Sequence, residues 1–210
     1  MEEIKKKIAR MLLEIGAIKI QPQNPFTWAS GWKSPIYCDN RLSLSHPKVR
    51  TYIKESLAQK IKSTFPEVSA IAGVATAGIP QGALVADELN LPMLYVRSKP
   101  KGHGRENMIE GEVSKDAKIV VIEDLISTGG SSIKAAEALQ AASHQIEGLF
   151  AIFTYGFPIA DQNFDKAGIP FHTLTDYPTL LEIALSENKI KESEVASLKE
   201  WSNNPAEWGV

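Results

Sequence analysis

Apolar residues at the start of the chain recur at helical spacing. Ile4, Ile8, Met11, Leu12 and Ile15 fall on one face and Gly16 stops the run, which predicts an amphipathic first helix. Residues 17–45 have a different texture. Short β-prone pieces, Ile18-Lys19-Ile20, Phe26-Thr27-Trp28 and Ile36-Tyr37-Cys38, are separated by Pro, Asn, Ser and Gly, as in a small irregular sheet. A second helix is expected from Pro47, with Ser45 as its cap, to about Ser63. Strands and helices then alternate. Strands are expected over 68–75, 93–96, 118–122, 149–153 and 171–174, with helices over 80–90 and 131–142 and a shorter one before Phe171. Two more short helices end near Trp201. Apolar strands alternating with helices imply an α/β fold whose central sheet is mostly parallel and flanked by helices on both faces. No repeat or low-complexity tract divides the chain, so it reads as one domain over 1–210 with an N-terminal flap at 17–45.

Composition narrows the class. A length of 210 residues suffices for one full core. A formal net charge of -2 argues against a dedicated nucleic-acid binder. The single cysteine, Cys38, excludes an internal disulfide and fits a reducing compartment. No apolar run approaches the roughly 18 residues that span a bilayer. The start, MEEIKKKIAR, lacks the apolar stretch of a secretory signal. A cytoplasmic protein without membrane association is expected.

The chemistry concentrates in VVIEDLISTGGSS, residues 120–132. An apolar run ends in two carboxylates, Glu123 and Asp124, and breaks into Ser127-Thr128-Gly129-Gly130-Ser131. In a parallel sheet, ligands bind outside the carboxyl ends of the strands. A residue there faces a crevice, so neither carboxylate need be buried unpaired. Carboxylates accept hydrogen bonds from a vicinal diol, and a small-residue turn before a helix offers N–H groups and hydroxyls to phosphate. Gly129 and Gly130 permit the close approach. A ribose 5-phosphate satisfies both halves. No Lys follows the glycines, as a P-loop would require, and G-x-G-x-x-G is missing. A strand, a polar turn and a capped helix without a ligand would use the same residue types.

The stretch resembles the phosphoribosyl pyrophosphate (PRPP) signature of the type I phosphoribosyltransferases, which implies that family's fold with a small N-terminal hood. The resemblance places Glu123 and Asp124 on the ribose hydroxyls. It makes Leu125, Ile126, Ser127, Thr128, Gly129, Gly130 and Ser131 the rest of the PRPP site. RSKPKGHGR carries Arg97, Lys99, Lys101, His103 and Arg105 at every second position, on one face of an extended chain. Alone it reads as a solvated basic loop. Beside the signature it resembles the mobile catalytic loop of the orotate phosphoribosyltransferases, here over 97–110, matched at Arg97, Lys101 and His103. In that family the loop closes over the partner's active site, which implies a homodimer. FTWASGWKSPIYCDNR, residues 26–41, resembles the same family's hood, and GVATAGIPQG, residues 73–82, is expected to present backbone N–H groups to pyrophosphate. Three positions depart: Ala29 and Ala77 stand where well-studied members carry Lys, and Tyr155 where they carry Arg.

The resemblance implies transfer of ribose 5-phosphate from PRPP to N1 of orotate, giving orotidine 5′-monophosphate and pyrophosphate on the route to UMP. Mg²⁺ would arrive chelated by PRPP, with no protein metal site. Lys101, His103 and Asp124 would be catalytic, Lys101 contributing most, and Ser127 would also reach orotate. Cys38 reads as a structural thiol, and His46, His144 and His172 as surface or core. A purine phosphoribosyltransferase is the rival enzyme, disfavoured by the hood and loop motifs. A PRPP-sensing regulator is the rival from another class, disfavoured by the net charge.

Overall fold

Ile8, Ala9 and Leu12 are fully buried along one side of helix α1 (Glu2–Glu14), as the apolar spacing requires. The computed structural model describes residues 2–28, 30–99 and 108–208. The flap is two small antiparallel pairs, β1 (Ile18–Ile20) with β4 (Ile36–Cys38) and β2 (Phe26–Thr27) with β3 (Lys33–Ser34). A 3₁₀ turn (Asn40–Ser45) leads into α2 (Pro47–Thr64). Ser45 was expected as the α2 cap, but it closes the 3₁₀ turn, and His46 takes the cap position without a side-chain bond.

The alternating region runs β5 (Ala70–Val74), α3 (Gly78–Leu89), β6 (Met93–Val96), β7 (Ile109–Glu110), β8 (Lys118–Ile126), α4 (Gly130–Ala141), β9 (Gln145–Thr154), α5 (Pro158–Ala167), β10 (Phe171–Asp176), α6 (Tyr177–Ser186) and α7 (Glu192–Asn203). Six strands form one sheet in the order β10-β9-β8-β5-β6-β7, all parallel except β7, which runs antiparallel to β6. Side chains alternate between two cores. Ile71, Val120, Ile122, Phe150 and Ile152 pack with α1, α2 and the C-terminal helices; Ala72, Val121, Leu149 and Ala151 pack with α4 and α5.

Two elements differ usefully from the sequence reading. Strand β8 does not stop at Ile122. Its pairing with β5 ends at Gly73↔Ile122, but β9 continues alongside through Glu123↔Ala151, Leu125↔Phe153 and Ile126↔Thr154. The acidic pair therefore stands on a strand held from one side only. The segment expected as a loop over 97–110 also starts and ends as a stem: Arg97 N–H donates to Met108 O at 2.8 Å, and Val96 pairs with Ile109. Lys101 and His103 lie outside the described residues.

The strand order places the site. From β5 the chain moves to β6 on one side, then returns to β8 on the other. The connections leaving β5 and β8 thus diverge, and a crevice opens between their carboxyl ends.

Candidate functional site

That crevice, about 280 Å³, is lined by the turn Ala75-Thr76-Ala77 after β5, by Glu123, Asp124 and Leu125, and by the turn Ser127–Ser132. Gly129 has φ 81°, the left-handed region, and caps α4, so the helix N-terminus opens into the crevice. A Cβ on Gly129 would meet Phe164 Cε2 at 2.6 Å. Asn163 on α5 supports the turn by donating from Nδ2 to Thr128 O at 2.9 Å.

The acidic pair is asymmetric. Glu123 is 6% exposed, against the expectation that a strand-end carboxylate stays out of the interior. Its Oε1 accepts from Asp124 N–H at 3.0 Å and its Oε2 from Ser132 Oγ at 3.2 Å. Burial, then the neighbouring Asp124 charge, pushes Glu123 up to about 9. Burial raises Asp124 as well, but its hydrogen bond with the Glu123 side chain works the other way. The pair therefore holds a proton to higher pH than separate carboxyl groups would, with Glu123 the more strongly raised of the two.

This has a consequence for stability. The unfolded chain releases the Glu123 proton above about 4.5, the ordinary value, whereas the folded chain keeps it to about 9. Within that window folding must hold a proton the unfolded chain has lost, so stability falls as pH rises, by at most about 1.4 kcal/mol per pH unit. Glu123→Gln removes the effect. Its melting temperature should gain on the wild type progressively from about pH 5 to about pH 8; a difference independent of pH would mean that Glu123 is ionised.

Asn40, fully buried in the 3₁₀ turn, donates from Nδ2 to the Asp124 carbonyl at 2.8 Å. This carbonyl lies beyond the point where β5 stops pairing, and Asn40 supplies the bond that the missing strand would have made. Asn40, Ser132 and Asn163 escaped the sequence reading. Ser132 directly follows the signature; the other two have partners far along the chain.

A second hollow of about 300 Å³ adjoins the crevice, sharing Leu125 and Ser127 with it. Its other walls are Thr27, Trp28, Tyr37, Cys38 and Tyr155. Trp28 lies 5.0 Å from Tyr155 between ring centroids, and Tyr155 stacks on Phe157 at 5.3 Å with Trp201 of α7 edge-on at 5.5 Å. Burial, then the Asp124 charge, raises the Cys38 thiol well above its usual range, so Cys38 presents a neutral S–H.

The structure thus gathers Glu123, Asp124, Leu125, Ser127, Thr128, Gly129, Gly130 and Ser131 around one crevice. Ile126 is different. Its side chain is fully buried and its carbonyl accepts from Tyr155 N–H and Thr154 Oγ1, so it holds β8 to β9 and does not line the site. Arg97 also lies outside the lining residues, its Nη1 3.3 Å from Glu110 Oε1.

Residues 44–167 match the family model described as the phosphoribosyl transferase domain. The orotate phosphoribosyltransferase of Porphyromonas gingivalis is 56% identical over 210 residues, covering all of both chains. The crystal structure of orotate phosphoribosyltransferase from Aeropyrum pernix superposes with a TM-score of 0.75 at 28% identity, over 83% of this chain and 96% of that one. The Leishmania donovani UMP synthase structure gives a TM-score of 0.79 at 25% identity over 94% of this chain, which spans 42% of that longer protein.

Proposed function

The chain belongs to the orotate phosphoribosyltransferases of the phosphoribosyl transferase domain family, and from that premise we propose how its own residues divide the work. The reaction moves ribose 5-phosphate from PRPP to N1 of orotate and releases pyrophosphate, a step of pyrimidine biosynthesis. One observation carries the residue assignment: the polar crevice and an aromatic-walled pocket share Leu125 and Ser127. A sugar phosphate on one side and a planar base on the other would meet there.

The amides and hydroxyls of Ser127, Thr128, Gly129, Gly130 and Ser131 hold the 5-phosphate at the α4 N-terminus. Asp124 accepts from the ribose hydroxyls, and its negative charge favours the positive charge that develops on the ring as the C1–O bond breaks. Glu123, whose Oε1 accepts from the Asp124 N–H, positions Asp124. The Ala75–Ala77 turn faces the leaving pyrophosphate. Mg²⁺ chelated by PRPP would arrive with the substrate and would supply positive charge against the leaving group. Asp124 beside an open polar crevice is an oxygen donor compatible with that ion.

Lys101, Arg97 and His103 bring further cations to the pyrophosphate from the partner subunit of a homodimer. The position of Arg97 supports this, since it sits on a hairpin stem outside the crevice lining of its own chain. Closure over a filled site keeps water from the ribosyl cation. The whole chain acts as one unit, with 17–45 as the hood. A cytoplasmic setting agrees with one unpaired cysteine, and among the described residues no helix is long and apolar enough to cross a membrane.

Incubation with PRPP, Mg²⁺ and orotate, followed by loss of orotate absorbance, tests the reading, with adenine, hypoxanthine and uracil in parallel. Orotate alone should be consumed. Consumption of another base would overturn the base pocket; PRPP binding without turnover of any base would point to a sensor.

A further inference from the structure

Orotate is a flat ring carrying a carboxylate, yet the pocket that would hold the ring has neutral walls. Trp28, Tyr37, Cys38, Leu125, Ser127, Thr27 and Tyr155 offer no formal charge. Tyr155, one of those walls, stands where an Arg would supply one. The inner side of the pocket borders the Asp124 carboxylate, since Leu125 and Ser127 line both the pocket and the crevice that holds Asp124. An anionic base must therefore turn its carboxylate away from Asp124, toward the β2–β3 hairpin.

A cation stands there. Lys33 on β3 pairs directly across from Thr27 on β2, and its Nζ donates to Thr27 Oγ1 at 2.9 Å. Thr27 is itself a wall of the pocket, so the ammonium lies one hydroxyl away from the ligand space. A neutral hydroxyl leaves the charge of Lys33 uncompensated and two of its three donors free. Among the described residues Lys33 makes no ion pair. The neighbouring cation is already engaged: Arg41 Nε and Nη2 reach Asp39 Oδ1 and Oδ2 at 2.6 and 2.9 Å. Lys33 is also exposed, so rotation of its four-carbon stem toward the pocket breaks only the bond to Thr27.

Resting on the orotate reading above, we propose that Lys33 is the specificity-determining residue that recognises the carboxylate of the base. It replaces by a swing from the β2–β3 hairpin the cation missing at position 155. Thr27 parks the ammonium when the pocket is empty. The carboxylate, a stronger acceptor than a hydroxyl, takes it over when the base arrives.

Steady-state kinetics of Lys33→Ala and Lys33→Arg, with uracil-6-carboxamide as a neutral competitor of orotate, test this. Loss of a charge-assisted bond should raise KM for orotate roughly 10- to 100-fold. KM for PRPP and inhibition by the carboxamide should stay within about twofold, because neither uses the charge. Lys33→Arg should recover most of the affinity. An unchanged KM for orotate overturns the proposal. So does equal weakening of orotate and the carboxamide, which would mean that Lys33 only shapes the hairpin. A wild-type protein that consumes no orotate would remove the underlying reading itself; a normal wild type beside an unaltered variant removes only Lys33.

Discussion

Lys101→Ala is expected to lower kcat on the order of 100-fold or more while KM for orotate changes little. Pyrophosphate gathers negative charge as it leaves, and a cation aimed at it acts in the transition state more than in the ground state. The same substitution tests the dimer. Asp124→Asn should also be nearly inactive, since it removes the charge beside the ribose. If Lys101 serves the partner's site, a heterodimer of the two variants has one site with both lesions and one with neither. Co-expression in equal amounts makes half the dimers mixed, so roughly a quarter of all sites should work. If Lys101 serves its own subunit, every site in the mixed dimer keeps a lesion and no activity returns. A Lys101→Ala enzyme that retains more than about a tenth of wild-type kcat would sink the role itself.

Gly78→Ala should destabilise the fold by about 3 kcal/mol, lowering the melting temperature by roughly 6–12 °C for a chain of this size, and should impair PRPP binding as well. The reason is contact between backbones. A Cβ on Gly78 would lie 2.4 Å from the Ile122 carbonyl oxygen and 3.2 Å from Glu123 Cα. Neither atom belongs to a side chain that can rotate away. Gly73 and Gly82 extend the same seam: a Cβ on Gly73 would meet Gly78 O at 2.9 Å, and one on Gly82 would meet Gly73 Cα at 3.2 Å. Through this close approach α3 holds the Ala75–Ala77 turn next to the acidic pair, so a wedge at Gly78 opens the crevice. Gly130→Ala is the control for stability, because its Cβ would meet nothing nearer than Thr128 Oγ1 at 4.0 Å. Equal melting temperatures for the two variants would refute the steric account.

Local chemistry was legible where it repeats along the chain. The apolar periodicity located the helices and the alternating strands, because burial of one face imposes a period on the residues themselves. The acidic pair, the small-residue turn and the aromatic flap were readable for a related reason: each is a contiguous stretch whose unusual residue types stand together in the chain. Element ends were less readable. Strand β8 passes through Glu123 and Asp124 because β9 continues beside it, and nothing within residues 118–126 announces how long the neighbour is.

The sequence alone determined the α/β class, the acidic pair and small-residue turn that line the crevice, and the aromatic character of residues 26–37. Tertiary structure decided the rest. It set the strand order that opens the crevice between β5 and β8, and it buried Glu123, which pushes its carboxyl group up to about 9. It sent Ile126 into the core and brought Asn40 to the Asp124 carbonyl across 84 positions. It also set Trp201 of the last helix edge-on against Tyr155 and Trp28. A motif records what a segment offers to a ligand. Burial, proton sharing and long-range hydrogen bonds depend on which segments the fold brings together, and that information is spread over the whole chain.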